Sequence, residues 1–193
     1  MKRTMMMVIL GLLVMARVAA ADIYNIDTAH STIGFDVKHL MVGTTSGAFN
    51  DYQGTVDYDP ANAAATKIDV TIQAASINTR NEDRDNHLKS ADFFDTANHP
   101  AIIFKSTKVE ASGDGYVVTG DLTMRGVTKE ISIPVSMAGP VQSPMGGYAI
   151  GISGKTTINR QDFGISWNKN LDQGGVVVGD EVVVIVNVEA HKK

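Results

Sequence analysis

The sequence predicts an all-β protein, an antiparallel eight-stranded barrel with a short helical insertion between strands, and three observations carry that prediction. From about residue 31 onward apolar and polar residues alternate with period two, as strands with one buried and one wet face require. Turn residues sit between the alternating runs, as in Ser112-Gly113-Asp114-Gly115 and Arg125-Gly126, so sequence neighbours are expected to pair as hairpins. The chain has 44% hydrophobic residues and no cysteine, so stability must come from a core rather than from disulfides. A meander of this length closes on itself most simply as a barrel, because closure removes exposed sheet edges.

At the N-terminus, Lys2 and Arg3 precede the apolar run Met5–Met15 and the small residues Val18-Ala19-Ala20-Ala21. This pattern reads as a secretory signal peptide over 1–21, leaving one domain over 22–193 and a periplasmic location. The run is about half of what a bilayer crossing needs, so no stable membrane insertion is expected. Losing Lys2, Arg3 and Arg17 leaves 14 Lys+Arg against 21 Asp+Glu and takes the net charge from −4 to −7. With the basic residues scattered, nucleic acid is excluded as a partner.

Eight alternating segments follow. Ile33, Phe35, Val37 and His39 share one face of the first, and Tyr52, Val56 and Tyr58 share one face of the second. Ile68, Val70 and Ile72 continue the pattern, then Ile102 and Phe104, then Tyr116, Val118, Leu122 and Met124. Ile131, Ile133, Val135 and Met137 form the sixth apolar face, Tyr148 to Ile158 the seventh segment, and Val176 to Ala190 the eighth. Gly34, Gly54, Gly120, Gly151 and Gly154 lie within these runs, where they are expected to widen a lumen or mark bulges.

Residues 74–100 break the alternation and predict a helix. Thr79-Arg80-Asn81-Glu82 fits a capping box, and His87, Leu88, Ala91 and Phe94 recur at helical spacing. Such an insertion either covers the barrel entrance or plugs one end as core.

No nucleophile elbow, zinc helix, phosphate loop or dinucleotide fingerprint occurs, so no catalytic set, metal or cofactor is expected. His39 is read as a hydrogen-bonded histidine at the barrel rim, and His191 as part of the tail. Glu82-Asp83-Arg84-Asp85-Asn86-His87 does not match a calcium loop and reads first as a solvated helix face. The sharper reading puts Arg84 and His87 one turn apart above the mouth, facing a polar head group.

Several stretches carry a family pattern: Tyr24-Asn25-Ile26-Asp27 with Ala29-His30-Ser31, Phe35-Asp36-Val37-Lys38-His39-Leu40, and Gly47-Ala48-Phe49. The run from Arg84 to Asp95, Pro100 to Ser106, Gly120 to Lys129, and Phe163-Gly164-Ile165-Ser166-Trp167 complete it. Together they resemble the YceI family, the secreted polyisoprenoid-binding proteins of bacteria. The resemblance implies a lipocalin-like barrel whose elongated cavity takes a prenyl chain, a prenylated quinone or a fatty acyl compound. It brings no catalytic residues. Its polar pattern positions correspond to His30, His39, Arg84 and His87.

The expected lumen is walled by Phe35, Val37, Val56, Val70, Phe104, Leu122, Ile133, Val135 and Ile152, with His39, Arg84, His87, Phe93, Phe94 and Trp167 joining them as ligand-binding candidates. Burying a methylene contributes about 0.8 kcal/mol, so a long apolar chain gains affinity without any charge pair. The expected partner is therefore a long-chain isoprenoid, quinone or acyl lipid; a homodimer is left open. The alternative is an extracytoplasmic enzyme using His30, His39 or His87 as a base on a small apolar substrate.

Overall fold

In the computed structural model, which describes residues 21–144, 146–172 and 174–192, eleven strands form one antiparallel sheet. They are β1 (Asp22–Ile26), β2 (Thr32–His39), β3 (Gly43–Phe49), β4 (Tyr52–Tyr58), β5 (Lys67–Gln73), β6 (Ile77–Asn78), β7 (Ala101–Ser112), β8 (Gly115–Met124), β9 (Val127–Gln142), β10 (Tyr148–Asn159) and β11 (Val178–Lys192). The sheet closes because β11 pairs with β10 on one side and with both β1 and β2 on the other.

The expected eight strands are there, but three of them are interrupted. β1 and β2 run one after the other along β11, with Ile26 opposite Ala190 and Thr32 opposite Asn187. β4 and β3 do the same along them, with Tyr24 opposite Val56 and Ile33 opposite Phe49. β5 and β6 follow, with Tyr52 opposite Ile72 and Phe49 opposite Ile77. The three breaks lie side by side, and backbone bonds bridge them: Asp27 N to Glu189 O at 2.9 Å, Gln73 N to Asp51 O at 2.9 Å and Asn50 N to Ser76 O at 3.1 Å. β1 and β3 were not among the alternating segments read from the sequence. Gly43–Phe49 is small and polar, with Thr44 and Ser46 outward, so hydrophobic periodicity carries little signal there.

The predicted hairpins form. Arg125 and Gly126 both have positive φ, 50° and 74°, the geometry a two-residue turn needs to match strand twist. The glycines inside strands meet one half of the expectation, since Gly120 and Gly151 lie at the register shifts of the β7–β8 and β9–β10 pairs, and fail the other. A Cβ on Gly54, Gly120 or Gly154 would lie 2.4–2.6 Å from a backbone oxygen of the neighbouring strand, so these sites allow close strand approach rather than widening the lumen. Only Gly151 of the five faces open space.

The helix is shorter than predicted and starts differently. α1 spans Glu82–Lys89 and is capped by Asn81, whose side chain accepts from Arg84 N. The capping box fails because the Thr79 hydroxyl is already committed: it donates to Asp85 Oδ1 at 2.6 Å and accepts from Arg84 Nε at 2.7 Å. Phe93 and Phe94 lie beyond the helix in a chain of turns, with Phe94 N donating to Leu88 O. None of the α1 residues is buried, but the insertion still reaches the core: Leu88 and, beyond the helix, Phe94 pack against it and Phe93 is part of it.

Arg160, in the 3-10 turn Arg160–Phe163, organises the long connection between β10 and β11. It is 4% exposed, and its guanidinium donates to the carbonyls of Ile165, Trp167, Val178 and Gly179 and to Asp180 Oδ1. Burial pushes its pKa down, and Asp180 offsets part of that cost. His191 is a member of β11 and not a tail residue, opposite Asn25 of β1. The expected leader lies outside the described residues apart from Ala21. Among the described residues no helix is long and apolar enough to cross a membrane.

Candidate functional site

The inward faces of the strands enclose two adjoining apolar chambers that share part of their lining. The upper one, about 140 Å³, is lined by residues including Phe35, Val37, Phe49, Leu88, Phe93 and Phe94. The lower one, about 100 Å³, is lined by residues including Val56, Val70, Phe104, Ile133, Val135 and Ile152. Ile33, Ile72, Leu122 and Val184 line both and form a waist between them. Each chamber is close in size to an apolar cavity of about 150 Å³ that stays dry and accepts a benzene-sized guest. All nine wall residues predicted from alternation line one chamber or the other. Period two alone put them there, since inward positions of a closed sheet must converge.

The two ends of this bore differ. Below the lower chamber, Tyr24 and Tyr58 are buried in edge-to-face contact with ring centroids 6.3 Å apart, and they fill the barrel end. Burial raises the phenol pKa of both, so they stay neutral. Above the upper chamber lies a mouth hollow of about 190 Å³ that shares Phe35, Val37, Leu88, Phe93 and Val178 with it.

The mouth gathers most of the remaining candidates. His39, Arg84, His87, Phe93 and Trp167 all line it. The His87 ring stands edge-on to Phe93 at 5.0 Å and to Trp167 at 4.9 Å, and its Nε2 bonds Asp92 at 2.9 Å. Phe93 and Trp167 are 5.3 Å apart, completing an aromatic triangle. Deeper in, Phe35 meets Phe49 at a tilt with centroids 6.1 Å apart, and Phe49 meets Phe94 edge-to-face at 5.8 Å. Phe35 reaches this position because its ring lies over Gly47 on the facing strand, where a Cβ would sit 2.4 Å from Phe35 Cζ.

Arg84 is partly committed: Nε donates to Thr79 Oγ1 and Nη2 to Thr79 O, which anchors α1 to the rim. His39 is at the rim as predicted, but among the described residues its side chain makes no hydrogen bond and is exposed. His30, the other histidine base considered, lies at the barrel seam away from the bore, bonded to Asp27 at 2.8 Å. Sequence reasoning placed Ile33, Ile72 and Ile102 on apolar strand faces without naming them as lumen wall, and missed Phe49, Ile158 and Val184 as chamber residues. Phe49 was hidden by its polar strand.

The YceI-like domain family model matches residues 24–190. The chain is 38% identical to the UPF0312 protein of Pseudomonas aeruginosa (strain LESB58), covering 100% of this chain and 99% of that relative. Among solved structures, Burkholderia cenocepacia BcnA superposes with a TM-score of 0.75 at 28% identity, over 86% of this chain and 99% of that one. A polyisoprenoid binding domain from Saccharophagus degradans shares the fold, with a TM-score of 0.64 at 16% identity over 88% of this chain and 98% of its own.

Proposed function

The chain belongs to the YceI-like family, and from that membership and its two-chambered bore we propose that it is a periplasmic carrier for a long-chain isoprenoid, prenylated quinone or fatty acyl lipid. The observation that supports this most is the continuity of the apolar wall from the mouth triangle through the waist to the tyrosine floor. A slim chain threads such a bore tail first, with its polar end left at His39, Arg84 and His87. The Saccharophagus degradans domain, described as polyisoprenoid binding, has the same barrel and agrees with this reading. His87 serves as wall at the mouth, edge-on to Trp167 and bonded to Asp92 Oδ2.

The test is solvent extraction of the purified protein followed by mass spectrometry, with titration of an emptied sample by a long-chain prenyl alcohol. Trp167 is the sole tryptophan, so its emission reports arrival of a ligand at the mouth. Val184→Phe at the waist is expected to weaken a chain that spans both chambers by about tenfold or more, equivalent to roughly 1.4 kcal/mol, while sparing a short one. If no apolar molecule is recovered and no probe is taken up, the carrier reading is wrong. For location, intact mass of the exported chain is expected to show cleavage after Ala20 or Ala21; an uncleaved cytoplasmic pool contradicts it.

A further inference from the structure

A second cluster of chemistry lies away from the bore, on the outer face of the seam where β1 and β11 close the barrel. Inward positions of β11 carry Val186, Val188 and Ala190, so Glu189 and His191 point outward. The break between β1 and β2 brings Asp27 and His30 to the same side. One ligand atom each from Asp27, Glu189 and His191 lie within 4.8 Å of one another. His191 Nε2 is 2.7 Å from Glu189 Oε1 and 3.7 Å from Asp27 Oδ2, and His30 Nδ1 is 2.8 Å from Asp27 Oδ2.

We propose that Asp27, Glu189 and His191 are a binding site for a divalent transition-metal ion of zinc-like chemistry, with His30 holding Asp27 beside it. One imidazole nitrogen with two carboxylate oxygens, and water as the fourth ligand, suits such an ion better than magnesium or calcium, which take oxygen ligands. A tetrahedral ion with bonds near 2.0–2.1 Å needs its ligand atoms roughly 3.4 Å apart. Within the group the separations of 2.7 and 3.7 Å lie within 1 Å of that spacing. The His191 N–H now points at carboxylates, and metal binding would displace that proton and exchange the hydrogen-bonded groups for ligands.

The seat is held by the backbone. Asp27 N donates to Glu189 O at 2.9 Å, Ala29 N to Asp27 Oδ1 at 2.9 Å, and Glu189 N to Ser31 Oγ at 2.9 Å. All four side chains line a surface hollow of about 440 Å³, so an ion reaches them directly from solvent. A bound ion would bridge the first strand to the last, stapling the ring shut. The site shares no residue with either chamber or the mouth, so it stands independently of the carrier reading.

Calorimetric titration of the untagged protein with Zn²⁺ alone is the direct test, with Mg²⁺ as the contrast. One Zn²⁺ per chain is expected, with no matching Mg²⁺ heat and a Tm that rises with Zn²⁺ concentration. The double substitution His30→Gln and His191→Gln keeps side chains that donate to the carboxylates, and is expected to lower Zn²⁺ affinity by at least about tenfold and abolish the Tm rise. Val184→Phe is expected to leave both unchanged. Absence of one-to-one binding in the wild type, or undiminished affinity in the double variant, overturns the proposal. Should that variant not fold, X-ray absorption of the Zn²⁺-loaded wild type decides: a spectrum with an imidazole among oxygen ligands supports the site, and one without imidazole refutes it.

Discussion

At its mouth the barrel is finished with loops and rings, and at its far end with strands and ion pairs. The mouth is walled by residues of β2 and β3 and covered by α1, the turns carrying Phe93 and Phe94, and Trp167 and Val177 of the connection after β10, a cover that belongs to no barrel strand. The far end is closed by β1 against β4 and β11, by the buried pair Tyr24 and Tyr58, and outside by Lys192–Asp22 and the Asp27, His30, Glu189 and His191 cluster. Strand pairing leaves no gap wide enough for a ligand, whereas loops anchored at a few points do. The difference teaches that the opening is placed where the ladder stops, and that its shape depends on a few anchors rather than on many equivalent bonds.

Arg160 is the strongest of those anchors, and removing it should break the contrast most. Arg160→Ala takes away five donated bonds from four carbonyls and Asp180. A loss of about 3–5 kcal/mol in urea unfolding is expected, together with faster hydrogen exchange in 164–180 and little change in β4 and β5. Uniform exchange across the barrel would show that the mouth is not a separate unit.

Gly47→Ala acts on the bore itself. Its Cβ would sit 2.4 Å from Phe35 Cζ and 2.8 Å from Thr79 Cγ2, so the ring must swing into the upper chamber. About 1–3 kcal/mol of destabilisation is expected, with a smaller upper chamber and weaker probe binding followed by Trp167 emission. Unaltered binding would mean the ring finds room elsewhere.

Ser31→Ala is the smallest effect and the complementary control. Its hydroxyl donates to Glu189 O and accepts from Glu189 N, substituting for ladder bonds across the strand break. About 1 kcal/mol of stability is expected to go, with probe affinity unchanged. A change in ligand binding there would show that the seam and the mouth are coupled.

Legibility followed the same division. Val70, Phe104, Leu122 and Ile133 could be assigned to a common interior because period two is local, and closure turns a shared face into a shared lumen. The Arg125-Gly126 turn was legible because a two-residue hairpin demands positive φ, which glycine supplies at little cost. The Thr79 cap was misread because a hydroxyl can serve several partners and the sequence does not say which arrives; Asp85 and Arg84 took it. Phe49 went unnoticed because Gly47 and Ser46 around it spoil the alternation.

From residue order alone came the all-β class, the number of barrel strands, the inward side of the strands that alternate clearly, and the family resemblance. These depend on side-chain period and turn chemistry, which act over a few residues. Only the folded chain decided that three strands are interrupted at one level, that Arg160 ties a distant loop, and that Asp27 and His191 meet. Those are contacts between residues far apart in sequence, and their partners are chosen by where closure of the barrel leaves them, not by any pattern written locally.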